Sequence, residues 1–257
     1  MQHSAKGFER DPAATGNWLL DYLPRRQRQG VLAHCGPIEL VSDAVLAEAG
    51  QAVNHVYFPT SGSISLLRTL PGHEPFETDS VGREGMLGLA VLLGVKHASQ
   101  RAVVHAEGMA LQMEGERVVA LMLQYDALKT ILQRYLHLVL TELSQSTGCV
   151  RFHDVGSRLA RVLLREHDRA SSDDLPLLTH RLLADMLGVQ RGSVTIAAAK
   201  LQRRGVIRYS RGRITILDRE GLLAAACSCY AASVAHYETM FPQHAAGCVL
   251  NESRVAH

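Results

Sequence analysis

Residues 178–217 read LTHRLLADMLGVQRGSVTIAAAKLQRRGVIRYSRGRITIL, and this stretch decides the fold. Leu182, Leu183, Met186 and Leu187 fall on one apolar helical face. Gly188 follows, a residue that tolerates the left-handed backbone which ends helices. A second helix is predicted with Val194, Ala198 and Leu201 turned inward at i, i+4 and i+7. Its opposite face carries Gly192, Ser193, Ile196 and Lys200, and Gly205 closes it. Residues 206–209 and 213–217 then read as two strands around the turn Ser210-Arg211-Gly212.

Charge follows the same boundaries. The stretch holds eight basic residues (Arg181, Arg191, Lys200, Arg203, Arg204, Arg208, Arg211 and Arg213) and one acid, Asp185. That is seven net positive charges in a chain whose formal total is +2, so the remainder is acidic by five. Helix, glycine turn, helix and hairpin form the winged helix-turn-helix arrangement. A basic cluster coinciding with it is the electrostatic footprint of a phosphate-backbone binder. The bland alternative is a solvated arginine-rich face without a partner.

The rest of the composition is ordinary. At 257 residues the chain accommodates two domains, and 47% hydrophobic with 20% charged residues describes a globular protein. The polar N-terminus has no signal-peptide pattern, and the apolar runs near 87–95 and 222–227 are too short to span a bilayer. The five cysteines (Cys35, Cys149, Cys227, Cys229 and Cys248) are odd in number and scattered, which points to reduced thiols and a cytoplasmic location.

Five segments are expected in order. Residues 1–17 read as a flexible tail. Residues 18–125 open with a short helix and continue as glycine-punctuated β-runs, including 55–58 and 63–67, which predict a jelly-roll-like β domain. Residues 126–152 form a long helix. Leu121, Tyr125, Leu128, Leu132, Tyr135 and Val139 step by four and three, the spacing of a coiled-coil seam, and predict a homodimer through that line. Ile131, Leu136, Leu138, Leu140 and Leu143 widen the apolar surface beyond one seam. Residues 153–222 hold the winged helix-turn-helix, and residues 223–257 a further helix, read over 218–237, and a tail. The predicted class is therefore α+β.

A β-roll, a long helix and a C-terminal winged helix-turn-helix together resemble the Crp/Fnr superfamily of bacterial transcription regulators. LTHRLLADMLGVQRGSVTIAAAKLQRRGVI is similar to the family's recognition unit, YSRGRITILDREGL to its wing, and DVGSRLARVLL to the helix entering its DNA-binding domain. The resemblance implies a homodimer reading a palindromic operator in double-stranded DNA, with RNA polymerase as a further partner. Arg191 matches the base-reading arginine, and arginine on guanine is the commonest specific major-groove contact. Gly192 stands where the family often has an acid, and Ile196 where cyclic-AMP-responsive members carry a second arginine. Thr179 and Ser193 match phosphate-binding hydroxyls, with Lys200, Arg203, Arg204, Arg211 and Arg213 adding phosphate contacts. An altered operator sequence follows.

The sensor half departs from the family's cyclic-nucleotide pattern. In GMLGLAVLLG the ribose-binding glutamate is replaced by Leu89, after Gly88. In SQRAVV the phosphate arginine's place falls on Gln100, with Arg101 one residue late, and a one-residue shift turns a strand side chain to the other face. An insertion would restore Arg101. The effector pocket of Gly88, Leu89, Gln100 and Arg101 is thus degenerate, and the effector is expected to be something other than a cyclic mononucleotide. Cys35 alone is too few for the N-terminal iron–sulfur cluster of some members. Cys227-x-Cys229 with Cys248 reads as redox sensor, metal site or unmodified thiols; unmodified thiols are favoured because positions i and i+2 on a helix diverge. No cofactor, metal or catalytic residue is expected, although a small-molecule effector is compatible with the fold.

Two rival classes are weighed. A cupin-like metal enzyme shares the jelly roll but needs a His-x-His pair, and His55, His73, His97 and His105 each stand alone. A protein-interaction module would not need seven concentrated positive charges.

Overall fold

The computed structural model describes residues 14–170, 174–175, 178–210 and 212–242. Two short helices lead in, α1 (Trp18–Asp21) and α2 (Arg25–Leu32). Residues 14–17, expected to belong to a loose tail, are tied down instead. Asn17 is fully buried; its side-chain amide donates to the carbonyls of Pro59 and Gly85, both at 2.9 Å, and its Oδ1 caps α1 at Leu20.

The β domain follows as β1 (Gly36–Leu40), β2 (Val45–Ala47), β3 (His55–Pro59), β4 (Ser63–Arg68), β5 (Phe76–Val81), the helical turn α3 (Leu89–Leu92), β6 (Arg101–Ala106) and β7 (Gly108–Glu114). Antiparallel pairing gives two sheets, ordered β1-β7-β3 and β2-β6-β4-β5. They enclose Leu40, Tyr57, Ile64, Ala102, Val104 and Ala110, the inward residues of alternating strands. The jelly-roll-like expectation holds. Gly88, which caps α3, has φ +106°, and a Cβ there would sit 2.8 Å from Val56 Cγ1. Only glycine makes that turn without strain.

Two helices come next, α4 (Gly115–Gln124) and α5 (Asp126–Phe152), separated at Tyr125, which has extended backbone. The residues expected to make a dimer seam do not form one. Leu121 lies on α4, while Leu128, Leu132 and Tyr135 are buried in the chain's own core with Leu19, Leu20, Phe58 and Met86. Tyr125 and Val139 pack partly against that same core. Their four-three spacing is real, but α1, α2, α4 and the β domain occupy that face, so the seam is intramolecular. A second line on α5 remains uncovered. Leu136, Leu140, Leu143, Thr147 and Val150 repeat the same four-three step, and Leu140 and Val150 are 59% and 61% exposed.

The C-terminal unit begins with α6 (Val155–Arg169), whose N-cap Asp154 accepts from the amides of Gly156 and Ser157. The short β8 (Asp174–Leu175) precedes α7 (His180–Leu187) and α8 (Arg191–Arg203). A hairpin of β9 (Ile207–Ser210) and β10 (Arg213–Ile216) closes the wing, with β8 pairing on the other edge of β10. That third strand is too short to carry a periodic signal in the sequence. Leu159, Leu163, Leu183, Leu187, Val194, Leu201 and Ile214 form one core. The helix expected to run unbroken over 218–237 is two, α9 (Arg219–Ala225) and α10 (Cys229–Met240), interrupted at 226–228. Helix α10 folds back onto α5 and α6; Tyr237 packs edge-on to Trp18 of α1 at 5.5 Å, and Phe241, just past the helix end, is fully buried. No helix among the described residues is long and apolar enough to cross a membrane.

Candidate nucleic-acid interface and effector pocket

Helix α8 is held at a fixed pose by its neighbours. Thr179 caps α7 through Leu182 N, and Gly188 ends α7 with φ +61°, so the chain reverses into Gln190 and starts α8 at Arg191. Val194, Ala197, Ala198 and Leu201 bury one face against α6 and α7. The outward face carries Arg191, Gly192, Thr195, Ile196, Ala199, Lys200 and Arg203. Ile196, a large apolar residue, is 61% exposed there, and a side chain at Gly192 would meet open space. Ser193 is half-buried, so it sits at the edge of this face rather than on it.

Thr195 carries no motif signal, yet it is central to this surface. Its hydroxyl donates to the carbonyl of Arg191 and lies 3.0 Å from His180 Nδ1. The His180 ring stacks on Tyr209 of β9, with centroids 4.2 Å apart and planes 19° apart. One imidazole therefore joins α7, α8 and the wing. Burial, with the nearby Arg191 charge, pushes His180 below its ordinary value, which favours the neutral imidazole. The only sequence signal for this arrangement is a histidine directly after the capping threonine, a pairing too common at helix starts to point to a stack.

The basic side chains crown this surface. Arg191, Lys200, Arg203, Arg204, Arg208 and Arg213 are all exposed, and none forms an ion pair with a carboxylate among the described residues. Arg181 differs, pairing with Asp185 at 3.3 Å one turn along α7. Arg211 lies outside the described residues. The arrangement presents a helix N-terminus and unpaired cations on one side, which suits an anionic ligand.

A second feature lies in the β domain. A cavity of about 230 Å³ is lined by Leu46, Val53, Leu66, Met86, Leu89 and Gln100 among others, and α5 contributes Tyr135, Val139 and Leu143 to its wall. Gly88, Leu89 and Gln100 line it. Arg101 does not. The burial of β6 alternates, with Ala102, Val104 and Ala106 inward, so Arg101 points out and pairs with Glu48 at 3.2 Å. Gln100 donates to Thr78 Oγ1 at 2.6 Å. No lysine or arginine among the described residues lines the cavity.

Fold and surface together define a winged helix-turn-helix unit with an exposed cationic face, beside a β-roll with a cavity. Residues 157–225 match the Crp-like helix-turn-helix domain family. The chain superposes on FixK2 from Bradyrhizobium japonicum at 14% identity with TM-score 0.65, covering 75% of this chain and 98% of that one. The regulator CLP from Xanthomonas campestris, described as c-di-GMP-responsive, gives 15% identity and TM-score 0.60 over 75% and 99%. A CRP-family transcriptional regulator from Thermus thermophilus gives 19% and 0.61 over 74% and 96%. No curated sequence matches closely enough to count as a relative. The C-terminal unit is thus a Crp-like helix-turn-helix domain, and the chain has the fold of Crp/Fnr regulators.

Proposed function

We propose that the chain works in the cytoplasm as a homodimeric, sequence-specific transcription regulator that reads a palindromic operator with α8. The observation that carries this reading is the set of exposed cations on α8 and the wing without carboxylate partners. Arg191 reads a base edge; Ile196 offers only an apolar contact, suited to a thymine methyl. Gly192 leaves room where a longer residue would reach a base. Thr179 and Ser193 hydrogen-bond phosphate oxygens through their hydroxyls, and Lys200, Arg203, Arg204, Arg211 and Arg213 neutralise phosphates. RNA polymerase is the partner through which such binding would act on transcription.

Two copies meet along the uncovered line of α5: Leu136, Leu140, Leu143, Thr147 and Val150. A four-three apolar repeat of this kind is buried when a second helix lies alongside it. The effector is not a cyclic mononucleotide. With no lysine or arginine lining it among the described residues, and with Asp79 in its wall, the cavity would leave a buried phosphate without a cation, whereas its mostly apolar lining with neutral polar groups such as Asn54 and Gln100 suits an uncharged ligand. The same walls contain Val139 and Leu143 of α5, so occupancy of the cavity would bear directly on the dimer line.

Selection of random duplexes with the purified chain tests the central reading. Enriched sites should be palindromic, with half-site centres roughly 34–36 Å apart. Affinity should fall steeply with salt, as expected when several phosphates are neutralised. Failure to enrich any motif, with binding that ignores salt, would sink the reading.

A further inference from the structure

Four ligand-type side chains meet where α5 ends. Cys149 and His153 lie one turn apart at its C-terminus, Cys227 lies in the interruption between α9 and α10, and Cys229 begins α10. The sulfurs of Cys149 and Cys227 are 3.7 Å apart, and His153 Nδ1 is 3.5 Å from Cys229 Sγ. All four ligating atoms lie within 4.8 Å of one another. The divergence expected for positions i and i+2 on a helix does not apply, because α9 stops at Ala225 and Cys227 precedes α10. Cys248, the third cysteine expected in this group, lies outside the described residues. All three thiols here are free, not bridged.

We propose that Cys149, His153, Cys227 and Cys229 bind one zinc ion in a tetrahedral Cys3His site. Zinc–sulfur bonds of about 2.3 Å and zinc–nitrogen bonds of about 2.0–2.1 Å give a tetrahedron with sulfur–sulfur edges of about 3.8 Å and sulfur–nitrogen edges of about 3.6 Å. The two separations above match those edges. Calcium and magnesium prefer oxygen ligands, so three sulfurs disfavour them. An iron–sulfur cluster spreads its four ligands over two or four iron atoms, so ligands on different irons would stand wider apart than the 4.8 Å that contains all four here.

Arg161 supplies an independent argument. It is 9% exposed, and its Nε and Nη1 have no hydrogen-bond partner among the described residues. Its charge acts on both Cys149 and Cys229. A buried guanidinium without a counter-charge is costly. Three thiolates, a neutral imidazole and a divalent cation sum to one negative charge, which is the counter-charge Arg161 lacks. Simple packing of buried thiols accounts for neither the imidazole nor the arginine.

The site would join three elements at the entry to the DNA-binding unit. His153 closes α5, Asp154 starts α6, and Cys227 N donates to Ser157 O at 3.2 Å. Binding free energy there becomes folding free energy of this joint. It would fix how α6, and through it α8, leaves the long helix.

Elemental analysis of the full chain, purified without chelator, should find one zinc per chain. After removal of zinc, cobalt(II) should give the intense ligand-field bands of a tetrahedral site together with sulfur-to-cobalt charge transfer. His153→Ala and Cys227→Ser should each weaken cobalt binding by more than the roughly 10- to 100-fold typical of outer-shell changes. Should either variant fail to fold, the cobalt titration of the unaltered chain decides alone. A chain without zinc whose cobalt spectrum stays that of the aquated ion would overturn the proposal. So would iron with acid-labile sulfide in place of zinc. Neither result bears on DNA binding, so the regulator reading is tested separately.

Discussion

Arginines serve opposite purposes on the two sides of the helix-turn-helix unit. On the side facing the β domain, Arg169 of α6 is buried and fully engaged: it meets Glu84 at 2.5 Å, Glu166 at 2.9 Å, and the carbonyl and hydroxyl of Ser80. Arg165 reaches Asp79 at 3.4 Å, and Arg219 meets Asp168 at 2.8 Å, where Tyr230 also donates. On the outer side the cations of α8 and the wing have no such carboxylates among the described residues. The contrast teaches how to separate a structural arginine from a ligand-binding one. A cation whose desolvation is compensated within the chain holds domains together. One left exposed without a carboxylate is available to an outside anion.

The largest expected effect comes from breaking the inner side. Arg169→Ala leaves Glu84 and Glu166 facing one another without their cation. Removing one member of a buried ion pair costs about 3–5 kcal/mol, and at roughly 2–4 °C per kcal/mol for a chain near this size the melting temperature should drop by roughly 6–20 °C. Arg204→Ala, on the outer side, should stay within the ~0.5 kcal/mol of ordinary surface changes. Thermal unfolding of the two variants measures both. If they shift stability equally, the distinction between the two kinds of arginine fails.

A smaller effect sharpens the outer side from within. Arg191→Ala should cost about 1–3 kcal/mol on a selected operator and much less on scrambled duplex, relaxing specificity. Lys200→Ala should weaken both nearly equally and reduce the salt slope by about one. Fluorescence anisotropy on the two duplexes at several salt concentrations reads both quantities. Equal loss on operator and scrambled DNA for Arg191→Ala removes its base-reading role.

What could be read from the sequence follows the range of the interactions. Helices α7 and α8 and the hairpin were legible because their signals are local: apolar period, terminating glycine, and a glycine-containing turn cluster between two β-rich runs. The outward turn of Arg101 was legible too, since alternation along one strand suffices. The dimer line was not. Leu128 and Leu136 sit on equally regular four-three spacings, and only the packing of α1, α2 and the β domain reveals which line is already covered. The convergence of Cys149, His153, Cys227 and Cys229 was hidden for a similar reason. Cys149 and His153 share a helix face at i and i+4, but their partners are more than seventy residues away, beyond a helix break that no glycine or proline marks.

The smallest effect concerns the acid surplus on the inner side, where Glu77, Asp79, Glu84 and Glu166 gather around Arg169 and Arg165. Glu77 accepts from Ser65 Oγ at 2.5 Å. Burial pushes its carboxyl up to about 7, with Glu166 and Asp79 adding to the rise and the Ser65 hydrogen bond and Arg169 opposing it. The unfolded chain loses this proton near 4.5 and the folded chain near 7. Below the lower value both states are protonated and the stabilisation is complete. Between the two the folded state holds the extra proton, so stability falls as pH rises towards and through 7, and the loss is then complete. Glu77→Gln keeps the neutral form at all pH. Its melting temperature should exceed that of the unaltered chain at about pH 8, with the gain shrinking towards about pH 5. A gain that is constant across that range would mean the glutamine improves packing, and that the carboxyl of Glu77 titrates normally beside Arg169.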